Sequence, residues 1–184
     1  MTPDEVLAFW FAGDPATQRK VWFEKNAQFD ADCARFSDAL REAKAGAFDH
    51  WAVTPRGALA LIILLDQFPR NLHRGSAEAF AADAKAREIA RAAVACGFDG
   101  QLSPVERIFM YLPFEHSEQL PDQDESVRLF ESLRNALGAE TVDHAYRHRD
   151  VIRRFGRFPH RNAALSRDNT EEELAYLAEP GAGF

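Results

Sequence analysis

A chain of 184 residues, 46 % apolar and 28 % charged, has the composition of an ordinary globular protein and is long enough to bury a core without staples. Two cysteines exclude a disulfide framework and lack metal-ligand spacing. The net charge of −7 argues against nucleic acid, whose phosphates require a broad positive field.

The first residues, MTPDEVLAFWF, place acids where a signal peptide would carry positive charge. Thr2 and Pro3 with Glu5 form an N-cap and a first-turn proline, so a helix is expected to follow. Trp10, Trp22 and Trp51, with Phe9, Phe11 and Phe23, read as core, the exposed alternative being a peptide groove. FDADCARFSDALREAKAG (29–46) has apolar residues at three- and four-residue spacing and ends at Gly46. Thr54 and Pro55 open a helix expected over 55–67. Its ALALIILL core (58–65) is apolar all round, the mark of a central helix, and is far too short to span a bilayer. Asp66 and Gln67 are expected to end it, with Pro69 pushing Phe68 out of the helical region. An aspartate there opposes the helix dipole, and Arg70, Arg74 or an arginine of 153–161 is the expected compensation.

Ser76 opens a helix closed by Gly97. Ser103, Pro104 and Glu106 form a capping box ahead of RIFMYL, and Pro113 is expected to end or kink that helix. Segments 124–138 and 141–156 each end in glycine, and Thr170 with Glu173 caps a last short helix. Cys33 and Cys96 fall in helix-like segments and read as buried thiols of a reducing compartment. The expectation is a cytoplasmic, all-α protein of seven to eight antiparallel helices around the central helix 55–67. No linker divides it, so residues 1–184 are expected to form one domain.

LLDQFPRN (64–71), LPFEHSEQL (112–120) and RFGRFPHRN (154–162), with the following LSR and NTEEE, resemble a bacterial family, number 924 among the domains of unknown function. The resemblance runs from VLAFWF to the last helix. It implies a tetratricopeptide-like helical stack and says almost nothing of activity. One departure stands out. The family pattern reads Leu-Gly-Arg where this chain has Leu165-Ser166-Arg167, which calls a tight glycine turn there into question but not the arginine.

The chemistry-bearing residues concentrate in three places. Residues 147–167 hold seven arginines against the single acid Asp150, a block that should meet acids of the same protein or a small anion. Gly156 can end its helix in the left-handed conformation, and Phe158-Pro159 then forces an extended turn presenting Arg157, His160, Arg161 and Asn162. QFPRN (67–71) offers Arg70 and Asn71, followed by His73 and Arg74, after the central helix in similar order, so the two turns could share one pocket floor. The turn EHSE supplies Glu115, His116 and Glu118 as acid–base groups or as ion-pair partners of the arginines. His148 lies on the inward stripe Ala145, His148, Ile152, Phe155. It reads as a satisfied core histidine, a site lining, or with His144 an i, i+4 metal pair lacking a local third ligand.

Three functions follow from this pattern. The first is a pocket binding a small phosphate or carboxylate. In it His160, His116, Glu115 and Glu118 are candidate catalytic groups, and Asp66, Arg70, Asn71, Arg74, His148, Arg157, Arg161 and Asn162 bind the ligand. The second is a tetratricopeptide-like scaffold binding a protein segment. The third is a metal-dependent hydrolase using His116, Glu118, His148 or His160. The alternative to all three is that both turns only tie loops to helix ends. No phosphate-cradling glycine loop is present, and no cofactor, nucleic-acid or membrane partner is expected.

Overall fold

The computed structural model describes residues 1–13 and 17–183, and every regular element among them is helical. No helix among the described residues is long and apolar enough to cross a membrane. The chain divides into two compact units, Met1–Arg74 with Glu78–Phe114, and Gly75–Ala77 with Glu115–Phe184.

The first unit is built on α4 (Pro55–Leu72), which packs against α1 (Pro3–Trp10), α2 (Ala27–Cys33), α3 (Ser37–Lys44) and α5 (Asp83–Ala95). Every α4 residue from Gly57 to Pro69 is buried, as an all-apolar helix requires. Its start is local chemistry: Thr54 Oγ1 accepts the Gly57 N–H at 3.1 Å, and Pro55 lacks only an N–H that a first turn does not use. Gly57 has a tertiary reason as well, since a Cβ there would stand 2.1 Å from the Trp51 carbonyl oxygen.

The end of α4 differs from expectation. The helix runs through Pro69 to Leu72, so Arg70 and Asn71 project from a helix rather than from an extended turn. An interior proline removes one helical hydrogen bond and typically costs about 3 kcal/mol. Burial of Phe68 offsets it: that ring is wholly enclosed, 5.4 Å from Trp10, 4.7 Å from Phe36 and 5.9 Å from Phe9 by ring centroids. The same holds for α6 (Pro104–Glu115), which passes through Pro113, with the Ser103–Glu106 capping box in place at its start. The 76–97 segment is also divided, a short 3₁₀ turn (Ala77–Phe80) preceding α5.

Trp10, Trp22 and Trp51 are buried, but Phe23 is 56 % exposed. It lies edge-on to Trp22 and parallel to Phe109, packing one face and leaving the other to solvent. Cys33 is buried, and burial pushes its thiol up to about 12. Cys96 is exposed, because it caps α5 at the surface just before left-handed Gly97.

In the second unit α7 (Leu120–Glu131) packs along α9 (Ala139–Phe155), with the single turn α8 (Arg134–Leu137) between them. α7 begins four residues earlier than the 124–138 reading, with Pro121 in its first turn. α9 ends at Gly156 with φ 70, the left-handed terminus expected of it. A 3₁₀ turn (Pro159–Arg161) and α10 (Glu171–Leu177) follow. Val151, Ile152 and Phe158 form a core patch against which Phe155 and Tyr176 pack.

Between that turn and α10 the chain passes through Ser166 at φ 53. The left-handed turn is therefore present without a glycine, and a side chain there costs about 1–2 kcal/mol. Glycine would remove that strain at a smaller entropic cost of about 0.5–1 kcal/mol. Ser166→Gly is accordingly expected to raise the melting temperature by roughly 1–4 °C, measured by thermal unfolding. An unchanged or lower value would mean the serine is not strained.

Candidate functional site

In the first unit the polar centre is Asp66, wholly buried on α4. Gln67 Nε2 donates to its Oδ2, and Arg70 Nη1 lies 3.3 Å from its Oδ1. The same guanidinium donates to both oxygens of Asp83 at 3.0 Å and to the Asp66 carbonyl. Burial alone would make Arg70 easier to deprotonate, but Asp66 and Asp83 together raise its pKa above the usual value. Arg70 is thus the partner expected for Asp66, but for its burial rather than for the helix dipole, since the helix runs on to Leu72 and Asp66 is not in its last turn. Arg74 pairs with both oxygens of Asp30 at 2.8 and 2.9 Å, and Asn71 Nδ2 lies 3.8 Å from Cys33 Sγ.

In the second unit five arginines of the basic block meet acids. Arg149 and Arg153 face Asp124 at 3.6 and 3.3 Å, and Arg154 pairs with Glu172 at 2.8 Å. Arg157 grips Glu173 through Nε at 2.6 Å and Nη2 at 2.8 Å. Arg167 grips Glu118 at 2.8 and 2.9 Å, then donates to the Phe158 carbonyl at 3.1 Å and to Asn162 Oδ1 at 2.9 Å. Asn162 in turn donates to Asn169 Oδ1 and Glu173 Oε2. Glu118 also accepts the Phe158 N–H at 2.8 Å. Glu118, Arg157 and Asn162 therefore hold the RFGRFPHRN turn and the start of α10 in one lattice.

The lattice is acid-sensitive. Partial burial would raise the Glu118 pKa, yet the Arg167 bonds and the Phe158 N–H hold it below its usual value. Arg157, with the Thr170 N–H and Asn162, lowers Glu173 from 4.5 to about 2. Depressed carboxylate pKa values add stability above the unfolded value, and that stability is lost as pH falls through the folded one. The melting temperature should therefore fall between about pH 4.5 and pH 2. The fall should be shallower in Glu173→Gln than in wild type. Parallel pH profiles of the two would refute the assignment.

Behind the lattice lies a second group. Glu115 is the last residue of α6, and α9 directs His148 toward it; both are buried. His148 Nδ1 lies 2.8 Å from the His144 carbonyl and 3.3 Å from Glu115 Oε1. Burial, with the charges of His116, Arg161 and His144, pushes the His148 pKa well below 6.5. The imidazole is therefore neutral at pH 7, and a proton on Nδ1 can be shared between the two oxygens. With a neutral imidazole, the Glu115 contact is not an ion pair. The wholly buried Phe158 joins the remaining members: its ring meets His148 edge-on at 5.7 Å, His160 at 5.4 Å and the Arg161 guanidinium at 4.5 Å. Arg161 is buried, while His116 and His160 are half-buried. Gln123 Nε2 fixes the EHSE turn by donating at 2.6 Å to the carbonyls of both Glu115 and Ser117, and Ser117 Oγ donates to Asp122 at 2.7 Å.

The candidates thus separate. Asp66, Arg70, Asn71 and Arg74 belong to the first unit, and Glu115, His116, Glu118, His148, Arg157, His160, Arg161 and Asn162 to the second. His144 contributes a carbonyl to His148, and its side chain is exposed. Among the described residues no three His, Cys, Asp or Glu side chains are grouped as a metal would require. Reading the sequence missed Gln123, Asp122, Arg167 and the second role of Glu173. Arg167 carried a signal, as an arginine following a departure from an otherwise matching motif. Asp122 and Gln123 carried none, because polar residues on an amphipathic helix read as its wet face.

Residues 6–181 match a family described as bacterial protein of unknown function (DUF924). The fold is similar to the solved structure of ATU0120 from Agrobacterium tumefaciens, a protein of unknown function. The two are 41 % identical over 97 % of each chain, with a TM-score of 0.86. Among curated proteins no match is found.

Proposed function

The chain belongs to the DUF924 family of bacterial proteins of unknown function, and from that premise we propose that its second unit binds a small anion, a phosphate or a carboxylate, around Phe158. The supporting observation is the convergence there of buried Arg161 with half-buried His160, beside a Glu115–His148 pair whose imidazole is held neutral by burial and by surrounding positive charge, His116 included. A guanidinium in a poorly solvated place favours an anion. Arg161 anchors it, with the His160 imidazole on the same Phe158 ring as a candidate acid–base group. Glu118, Arg157 and Asn162 support the turn in this reading, since their bonds run to Arg167, Glu173 and Phe158.

Thermal shift with inorganic phosphate and with citrate tests the reading. A ligand at 100 times its dissociation constant adds about 2.7 kcal/mol, a rise of roughly 5–10 °C at this chain length. The rise should vanish in Arg161→Ala and shrink in His160→Ala while both variants keep their helical circular dichroism. No rise with either anion in wild type would withdraw the site and leave a segment-binding scaffold as the better reading.

A further inference from the structure

Which anion this centre takes is restricted by the tautomer of His148. Its Nδ1 lies 2.8 Å from the His144 carbonyl, and a carbonyl oxygen only accepts, so Nδ1 carries a proton. The ring is buried, and burial with its positive neighbours keeps it neutral. A neutral imidazole has a single N–H, which makes Nε2 an acceptor. The two ring nitrogens point in diverging directions, so Nε2 faces away from the His144 carbonyl and from Glu115 Oε1, which lies 3.3 Å from Nδ1. Phe158 joins this imidazole to the cation. His148 meets its ring edge-on at 5.7 Å, and the Arg161 guanidinium stands over it at 4.5 Å. Arg161 can only donate, and His148 Nε2 can only accept.

We propose that the anion bound here is one that keeps a hydroxyl, inorganic phosphate rather than sulfate, its P–O–H donating to His148 Nε2 and its charged oxygens meeting Arg161. This ligand class rests on the anion-site reading and narrows it. A fully ionised oxyanion satisfies the guanidinium but sets an oxygen lone pair against the Nε2 lone pair. Hydrogenphosphate satisfies both groups. The two ions are alike in size and shape, so the discrimination is carried by one proton and by the cost of leaving a buried acceptor unpaired.

The test is isothermal titration calorimetry of the full chain with sodium phosphate and with sodium sulfate, at neutral pH and matched ionic strength. Phosphate should bind wild type at least about tenfold more tightly, as expected of a site built to receive a hydroxyl. His148→Gln should narrow that gap by tightening sulfate, because a side-chain amide can turn its NH₂ toward an ion that only accepts. An unchanged gap in folded His148→Gln overturns the assignment to His148. If that variant does not fold, the imidazole nitrogen resonances of wild type carry the test. Nε2 should be the unprotonated nitrogen and should shift with phosphate but not with sulfate; a proton on Nε2 overturns the proposal. Equal affinity for the two ions in wild type overturns the hydroxyl requirement and leaves the anion reading standing. Binding of neither ion ends the anion reading itself.

Discussion

Asp66→Ala is expected to lower the unfolding free energy by about 3–5 kcal/mol, the usual cost of breaking a buried charge pair from one side. Asp66 is 0 % exposed, and its removal strips Gln67 Nε2 of an acceptor and Arg70 of one of two carboxylates. Asp83 still holds the guanidinium through two 3.0 Å bonds, which keeps the loss toward the lower end of that range. Asp66→Asn retains the shape and one acceptor and should cost less. Urea unfolding at neutral pH measures both. An Asp66→Ala change inside about 0.5 kcal/mol, the range of an ordinary surface substitution, would show that Arg70 and Gln67 find other partners and that the Asp66 carboxylate is dispensable to the fold.

The second large effect belongs to Arg167→Ala. This side chain joins Glu118, the Phe158 carbonyl and Asn162, so its loss unties three partners at once. The Arg167 and Glu118 side chains are 23 % and 25 % exposed, so water can partly replace what is lost. The expected cost is therefore about 2–3 kcal/mol, below the fully buried case. Lysine at 167 should recover little of it, because a point charge cannot hold both Glu118 oxygens and also reach Asn162 as a planar fork does. Native-state hydrogen exchange gives a local readout, since the Phe158 amide bonded to Glu118 should lose protection in Arg167→Ala. Retained protection at Phe158, with stability unchanged, would mean that Glu118 is held without Arg167.

Much of the helical framework could be read in advance because its signals act over a few residues. The boxes Thr2–Glu5, Ser103–Glu106 and Thr170–Glu173 all form as their spacing requires. Left-handed Gly97 and Gly156 close helices where glycine was the only residue without a Cβ penalty. The apolar run at 58–65 had to be enclosed, and it is. Charge alone pointed the basic block toward acids of its own chain or a small anion, and Arg149, Arg153, Arg154, Arg157 and Arg167 meet acids.

What the sequence could not decide were the cases where a distant packing energy opposes a local preference. Pro69 and Pro113 stay inside helices because burying Phe68 and Phe114 outweighs a missing hydrogen bond. Ser166 occupies a glycine conformation while Arg167 beyond it makes four hydrogen bonds to Glu118, Phe158 and Asn162. Asp122 and Gln123 are buried though polar, since the carbonyls at the end of α6 and the Ser117 hydroxyl give them partners. Which carboxylate each arginine takes, and which histidine burial keeps neutral, depend on distances of a few ångströms between segments far apart in the chain. Spacing along the sequence carries local geometry; only the folded chain sets dielectric and reach, and those decide the chemistry of the site.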